Sequence, residues 1–268
     1  MTPDLPNLGR DPILVVYAGV LGAMIGSFLN VCILRWGAEP KESVVRPPSR
    51  CPKCGRGLRW YENIPIVAWL ALRGSCRGCG APISVQYPLI ELATALLWAF
   101  MAGRHGFGLE ALRGAVFGTI LLGIAMTDAR AYIIPDEFSL GGLGLGVLFA
   151  LAAGKQSLGT ALLGAAVGFG LLWLVAVVGQ WYFKQEAMGG GDVKMMAMVG
   201  AFVGWQGVLL TVFAGALLGT LIFVPLSLKK KRLVPFGVFL ALGAAVTYVA
   251  GPALISWYMA FIGFGRSF

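Results

Sequence analysis

The chain has 268 residues, of which 58% are hydrophobic and only 12% charged, and its mean hydropathy is +0.80. A water-soluble domain carries roughly 25% charged residues, so about half the usual polar surface is missing and lipid is the solvent for most of the chain. The net charge of +9 would point to nucleic acid in a soluble protein. No basic stripe interleaved with aromatics supports that, and membrane proteins collect Lys and Arg in cytoplasmic loops, so nucleic acid is not expected as a partner.

A spanning helix needs about 20 mostly apolar residues. The first such run covers 12–35 and follows Asp4, Arg10 and Asp11. It lacks a basic leader and a small-residue cleavage site, so it reads as a retained helix and not a signal peptide. A polar insertion at 36–87 comes next, with eight Lys or Arg and four of the five cysteines. Seven further apolar segments follow, at 88–104, 110–128, 138–154, 158–182, 193–205, 207–228 and 235–262. The segment at 193–205 is short; it is either a half-depth helix or continuous with the next one through Gly204-Trp205-Gln206-Gly207. The expected fold is therefore an all-α polytopic membrane protein of about eight transmembrane helices with a small cytoplasmic insertion. Its three parts are an N-terminal helix (1–35), the cysteine domain (36–87) and a transmembrane domain (88–268).

Orientation follows from the basic residues. With eight helices, one side collects 16 Lys and Arg, including the run Lys229-Lys230-Lys231-Arg232, and the other collects five. The positive-inside rule then puts the insertion in the cytoplasm and both termini outside.

Within the insertion, Cys51-Pro-Lys-Cys54 and Cys76-Arg-Gly-Cys79 are separated by 21 residues. Two such knuckles have the spacing class of a four-thiolate zinc ribbon, one residue beyond its usual range. The alternatives are two disulfides or redox pairs. A cytoplasmic location disfavours the first, and the absence of a βαβ pattern disfavours the second. Four filled ligand positions leave none for substrate, so Zn2+ here is structural and supplies folding energy that some fifty residues lack. Cys32 lies in the first helix and reads as a small buried hydrophobe.

Among the five aspartates, Asp4 and Asp11 are in the polar N-terminus and Asp136 in a loop. Asp128 ends the third apolar segment, and Asp192 follows Gly189-Gly190-Gly191 and starts the sixth. The topology puts both at the cytoplasmic edge. A carboxylate near the bilayer costs roughly 2.5–3.5 kcal/mol to insert. Taken singly, Asp192 could be a helix cap and Asp128 an ion-pair partner of Arg130. Together with three glycines, which let the backbone approach an extended peptide closely, they read as a catalytic pair. Two facing carboxylates share one proton, so one activates water while the other protonates the scissile carbonyl. The only histidine, His105, falls on the opposite side, which removes a Ser/His/Asp set.

The ordered motifs carry a resemblance. They are Gly26-Ser27-Phe28-Leu29-Asn30-Val31, the paired knuckles, Tyr61-Glu62-Asn63-Ile64-Pro65, Tyr87-Pro88-Leu89-Ile90-Glu91, Thr127-Asp128-Ala129, Ile134-Pro135-Asp136, Gly189-Gly190-Gly191-Asp192-Val193-Lys194 and Pro235-Phe236-Gly237. The sequence resembles the type IV prepilin peptidases, GxGD-type aspartic peptidases of the bacterial inner membrane that in many bacteria also methylate the trimmed N-terminus. The resemblance implies a prepilin or pseudopilin precursor as substrate, cleaved after a short basic leader, and S-adenosylmethionine as methyl donor. It also implies methyl-transfer or amine-binding roles for Asn30, Glu62, Asn63 and Glu91. Their plain readings are helix–helix bonding for Asn30, a buried partner for an arginine such as Arg35 in the case of Glu91, and turn residues for Glu62 and Asn63. No Rossmann glycine fingerprint is present. The rival readings are a peptidase without methylation, an ion-coupled transporter using the two aspartates, and a non-enzymatic adaptor.

Overall fold

A computed structural model describes residues 11–185, 188–227 and 235–261. The described residues form eight α-helices and no strand longer than an isolated bridge: α1 (Pro12–Trp36), α2 (Val67–Ala71), α3 (Gln86–His105), α4 (Leu109–Ala131), α5 (Asp136–Ala153), α6 (Lys155–Phe183), α7 (Gly190–Ser227) and α8 (Phe236–Phe261). Six of them, α1, α4, α5, α6, α7 and α8, are long and apolar enough to cross a membrane. α3 is not among the six: Gln86, Glu91, Thr94, Arg104 and His105 dilute its apolar run. The chain divides into two units, with the boundary inside α4 at Thr119–Ile120.

In the first unit α1 starts where the sequence says it should. Asp11 accepts the Ile13 amide at 2.9 Å and Pro12 follows, an N-cap and an N1 proline in their preferred places. α1 and α3 then run antiparallel at backbone contact. A Cβ at Gly22 would lie 2.7 Å from Thr94 O, and one at Gly26 would lie 2.8 Å from Glu91 Cα. Small residues drive such contacts in lipid, where no hydrophobic force pulls helices together. Between the two helices lies the insertion, tied to the end of α1 by Arg35, which donates to Ser43 O and Pro47 O at 2.6 Å each. It contains a short 3-10 turn, Trp60–Asn63, in keeping with the plain reading of Glu62 and Asn63 as turn residues, and α2, which the sequence did not suggest. Cys32 is buried, as anticipated.

In the second unit α7 is central. Its first leg carries fully buried Met195, Met196, Met198 and Val199. Gly164 and Gly168 of α6 meet Gly200 O and Met196 O directly, with no room for a Cβ. Gly142 and Gly146 of α5 receive Met198 and Phe202. At Gly204 the helix breaks (φ 72, ψ 175), a conformation natural only to glycine. The second leg lies along α8, with Gly219 and Gly215 against Phe239 and Leu240, and Thr211 bonded to Thr247 at 3.1 Å. Gly191 and Gly237 both pack on Ile134, so the first leg and α8 start at one level. Gly207, at the start of the second leg, packs on Thr247, about 15 Å further along α8. The chain therefore turns back at Gly204, and the second leg returns toward the level of Asp192. Continuity through 204–207 is one of the alternatives the sequence leaves open, and the backbone there is continuous but reversed.

Candidate active site

The first constellation is the cysteine cluster. The four sulfurs of Cys51, Cys54, Cys76 and Cys79 lie within 4.8 Å of one another. A tetrahedral zinc at about 2.3 Å from each sulfur needs S···S separations of about 3.8 Å. Cys51–Cys79 at 3.9 Å and Cys54–Cys76 at 4.0 Å meet that requirement and exclude disulfides, which need about 2.0 Å. Each knuckle closes through a single bridge, Arg50 with Gly57 and Ser75 with Pro82. Gly55 and Gly80 follow the knuckles at φ 71 and φ 70, the left-handed turn that aims amides at sulfur. The amides of Cys79 and Gly78 bring the Cys76 thiol down to about 6, and those of Cys54 and Lys53 lower Cys51. Cys79 moves the other way, up to about 11, the Ala81 amide being outweighed by burial and the neighbouring sulfurs; a metal needs all four as thiolates. The residues present fit a four-thiolate metal site.

Glu62 closes the first knuckle. One oxygen takes Arg56 at 2.6 Å and the other the Arg59 amide at 2.8 Å. The Arg59 amide and then the Arg56 guanidinium hold its carboxyl below the usual range. Asn63 is exposed at the end of the same turn.

Asn30 and Glu91 lie one turn apart along the α1–α3 seam, Asn30 against Tyr87 and Glu91 against Gly26. Asn30 is 1% exposed; its amide nitrogen donates to Gly26 O at 3.3 Å and Tyr87 O at 3.1 Å, while its oxygen accepts nothing. Glu91, 7% exposed, accepts the Ile66 amide at 2.7 Å. The plain reading that pairs Glu91 with Arg35 is thus corrected, because Arg35 is spent on the Ser43 and Pro47 carbonyls. Ile66 sits at φ 63, ψ −52, closed by a Val67 N–H to Pro65 O bond of 2.5 Å. This is a three-residue turn of the strained kind, rare for a β-branched residue. Glu91 holds it in place and so ties the Tyr61–Pro65 stretch to α3.

The aspartates converge in the second unit. Asp128, on the last turn of α4, is buried and accepts the Val238 amide at 3.0 Å. A Cβ at Gly237 would lie 2.9 Å from Asp128 Oδ2 and 2.8 Å from Ile134 Cδ1. Asp192 stands in the first turn of α7, and a Cβ on its neighbour Gly191 would lie 2.9 Å from Ile134 Cβ. Ile134 is thus flanked by both carboxylate-bearing segments. Asp192 Oδ1 is buried with no hydrogen-bond partner. Of the three glycines only Gly191 is demanded by packing; Gly190 faces open space, and a Cβ at Gly189 would make ordinary contact with Asp192 Oδ2 at 3.5 Å.

One contact was missed at the sequence level. Asp136, read as a loop residue, is the first residue of α5, and Lys194 grips it with bonds of 2.8 and 2.9 Å. The signal was available in Ile-Pro-Asp, a proline and acid at a helix start, and in a lysine two residues past Asp192. The pair fastens the α4–α5 connection to the first turn of α7 that carries Asp192.

Two family models match the chain. The bacterial peptidase A24 N-terminal domain covers residues 20–105, and the type IV leader peptidase family covers 115–224. A Myxococcus xanthus protein is 41% identical over 84% of this chain and 66% of its own length. Proteins of Stutzerimonas stutzeri and Pseudomonas aeruginosa are each 37% identical over 97% and 98% of this chain and 99% of theirs. All three carry the name prepilin leader peptidase/N-methyltransferase. No solved structure matches.

Proposed function

The chain belongs to the type IV leader peptidase family, and we propose from that premise that it cuts the leader from prepilin-like precursors with Asp128 and Asp192 and methylates the new N-terminus. It is a bifunctional membrane enzyme. The observation that carries the catalytic assignment is the convergence on Ile134 of the segments bearing buried Asp128 and half-buried Asp192, whose Oδ1 is shielded without a hydrogen-bond partner. In water-poor surroundings two such groups hold one proton between them. The ionised one takes a proton from the attacking water, and the protonated one gives its proton to the carbonyl oxygen of the scissile bond. The open space beside Gly190 leaves room for an extended substrate backbone next to Asp192. The substrate is a pilin or pseudopilin precursor, whose basic leader suits a site reached from the cytoplasm.

Eight membrane segments rather than six are supported by two features: the reversal at Gly204 splits α7 into two legs, and α3 runs beside α1 along its length. The first leg, 190–203, is about 21 Å long and crosses only part of a 30 Å core. Eight segments return both aspartates and the cysteine domain to the basic, cytoplasmic side of the inner membrane. The run at 229–232 that contributes to this count lies outside the described residues. The insertion at 36–87 acts as a zinc-stiffened module, and 88–268 as the peptidase domain.

For methylation, Asn30 and Glu91 are the better-placed pair. Asn30 Oδ1 and the Glu91 carboxylate are acceptors in an apolar seam with no cationic partner among the described residues, which suits a substrate amine or the cationic groups of S-adenosylmethionine. When bound, that cofactor supplies the methyl group; this chain's residues would hold and orient the amine. Glu62 and Asn63 sit on the adjoining turn, and Glu62 is engaged in holding the knuckle. The runner-up is a peptidase without methylation. Co-expression with a prepilin, followed by mass spectrometry of its N-terminus, decides: a trimmed and methylated N-terminus supports the proposal, a trimmed unmethylated one the runner-up, and an intact leader neither.

A further inference from the structure

The start of α8 touches Asp128, although no chemistry is assigned to it by the reading above. Pro235 precedes the helix, and Phe236, Gly237 and Val238 form its first turn. The first four amides of a helix have no partner within it and carry the positive end of its dipole. One of them, Val238 N–H, donates to Asp128 Oδ2 at 3.0 Å across 110 residues of sequence. Asp128 thus acts on α8 as a capping carboxylate borrowed from α4. The approach is possible only because residue 237 has no side chain: a Cβ there would press on Asp128 Oδ2 at 2.9 Å and on Ile134 Cδ1 at 2.8 Å. Ile134 is in turn the neighbour of Gly191, beside Asp192.

We infer that Val238, through its main-chain amide, together with Gly237 and Ile134, positions the catalytic pair: the amide fixes one Asp128 oxygen, and Ile134 is the spacer between the segments bearing Asp128 and Asp192. The inference rests on the two-aspartate reading. Its consequence is that Asp128 cannot rotate its carboxylate freely. One oxygen stays on α8, and the other is left for water and for the proton shared with Asp192. A group that acts by positioning Asp128 affects the chemical step and not prepilin binding.

The test uses purified full-length protein in detergent with a prepilin substrate. Val238→Pro removes the amide that Asp128 Oδ2 shares with Pro235 O at 3.3 Å; proline is tolerated in the first turn of a helix. Leader-cleavage kcat should fall about ten- to a hundredfold, as expected when a hydrogen bond to a charged group is lost, with KM unchanged within about twofold. Gly237→Ala keeps every amide and raises helix propensity, so it folds, yet it crowds Asp128 and should lower kcat in the same way. Should Val238→Pro fail to fold, Gly237→Ala decides alone. Wild-type kcat in Gly237→Ala, or a loss confined to KM, overturns the inference. Asp128→Asn in parallel separates the two levels: if it abolishes cleavage while the α8 variants keep wild-type kcat, only this inference fails. If Asp128→Asn itself cleaves normally, the two-aspartate reading fails with it.

Discussion

Replacing Gly168 by alanine should cripple cleavage from a position that no substrate touches. Gly168 lies on α6 directly against Met196 O, one turn beyond Asp192 on α7, with no room for a Cβ. The obstacle is backbone, so no side-chain rotation relieves it. Restoring van der Waals separation requires the first leg of α7 to move by about 1 Å at Met196. Overpacking of this kind costs about 1–3 kcal/mol. A 1 Å displacement of a catalytic group lowers activity about a hundredfold. Gly170, two residues along the same helix, has nothing within 4 Å of an added Cβ, so Gly170→Ala gains only helix propensity, up to about 1 kcal/mol. The assay is kcat/KM for prepilin cleavage, with thermal unfolding of the detergent-solubilised variants beside it. Gly168→Ala should lose about two orders of magnitude and unfold earlier; Gly170→Ala should match wild type in activity and unfold no earlier. Equal behaviour of the two variants would refute the claim that the α6–α7 seam sets the place of Asp192.

Purified protein should carry about one zinc per chain by metal analysis, and Cys51→Ser or Cys79→Ser should lose it and expose 36–87 to protease. Acidification should release the metal, since thiolates must protonate to let go, as equilibrium dialysis across a pH series would show. Glu62→Gln removes an acid whose carboxyl is held low in the fold, so the stability it adds is present at neutral pH and vanishes in acid. The variant should be more protease-sensitive than wild type at pH 7, and the difference should shrink as pH falls below the usual carboxylate range. Glu91→Gln should reduce methylation of a pre-trimmed peptide at least tenfold while leader cleavage stays within about twofold; equal loss of both activities would argue for one shared site. Single cysteines at 105 and 155 should label from outside and one at 132 from the cytoplasm. A cytoplasmic signal at 155 would break the eight-segment topology.

Much of this was legible from residue pattern alone, and the failures have physical causes. The apolar segment at 12–35 predicts α1 to within a residue because its signal is local: an aspartate cap, a proline and an unbroken apolar run. The cysteine cluster was legible for the same reason, since two knuckles in sequence are two knuckles in space. Gly204 was visible as a break, but whether a helix bends or reverses there depends on α8, far along the chain. Asp136 looked like a loop residue because its helix opens without a side-chain cap, and its bond to Lys194 spans 58 residues. The Arg35–Glu91 pairing failed because charge alone suggested it, while two backbone carbonyls and one backbone amide were the partners chosen. The Val238–Asp128 bond had no sequence signature: a main-chain amide is the same in every residue but proline.

The central claim is that Asp128 and Asp192 together perform the cleavage, and single-turnover cleavage of a prepilin by purified Asp128→Asn and Asp192→Asn tests it most directly. Asparagine keeps the shape of each side chain but can neither accept a proton from water nor hold the shared one. Both variants should insert and fold as wild type does, because a neutral group is cheaper at the membrane edge, and both should leave the leader intact while still methylating a pre-trimmed peptide. Cleavage near the wild-type rate in either variant would contradict the account.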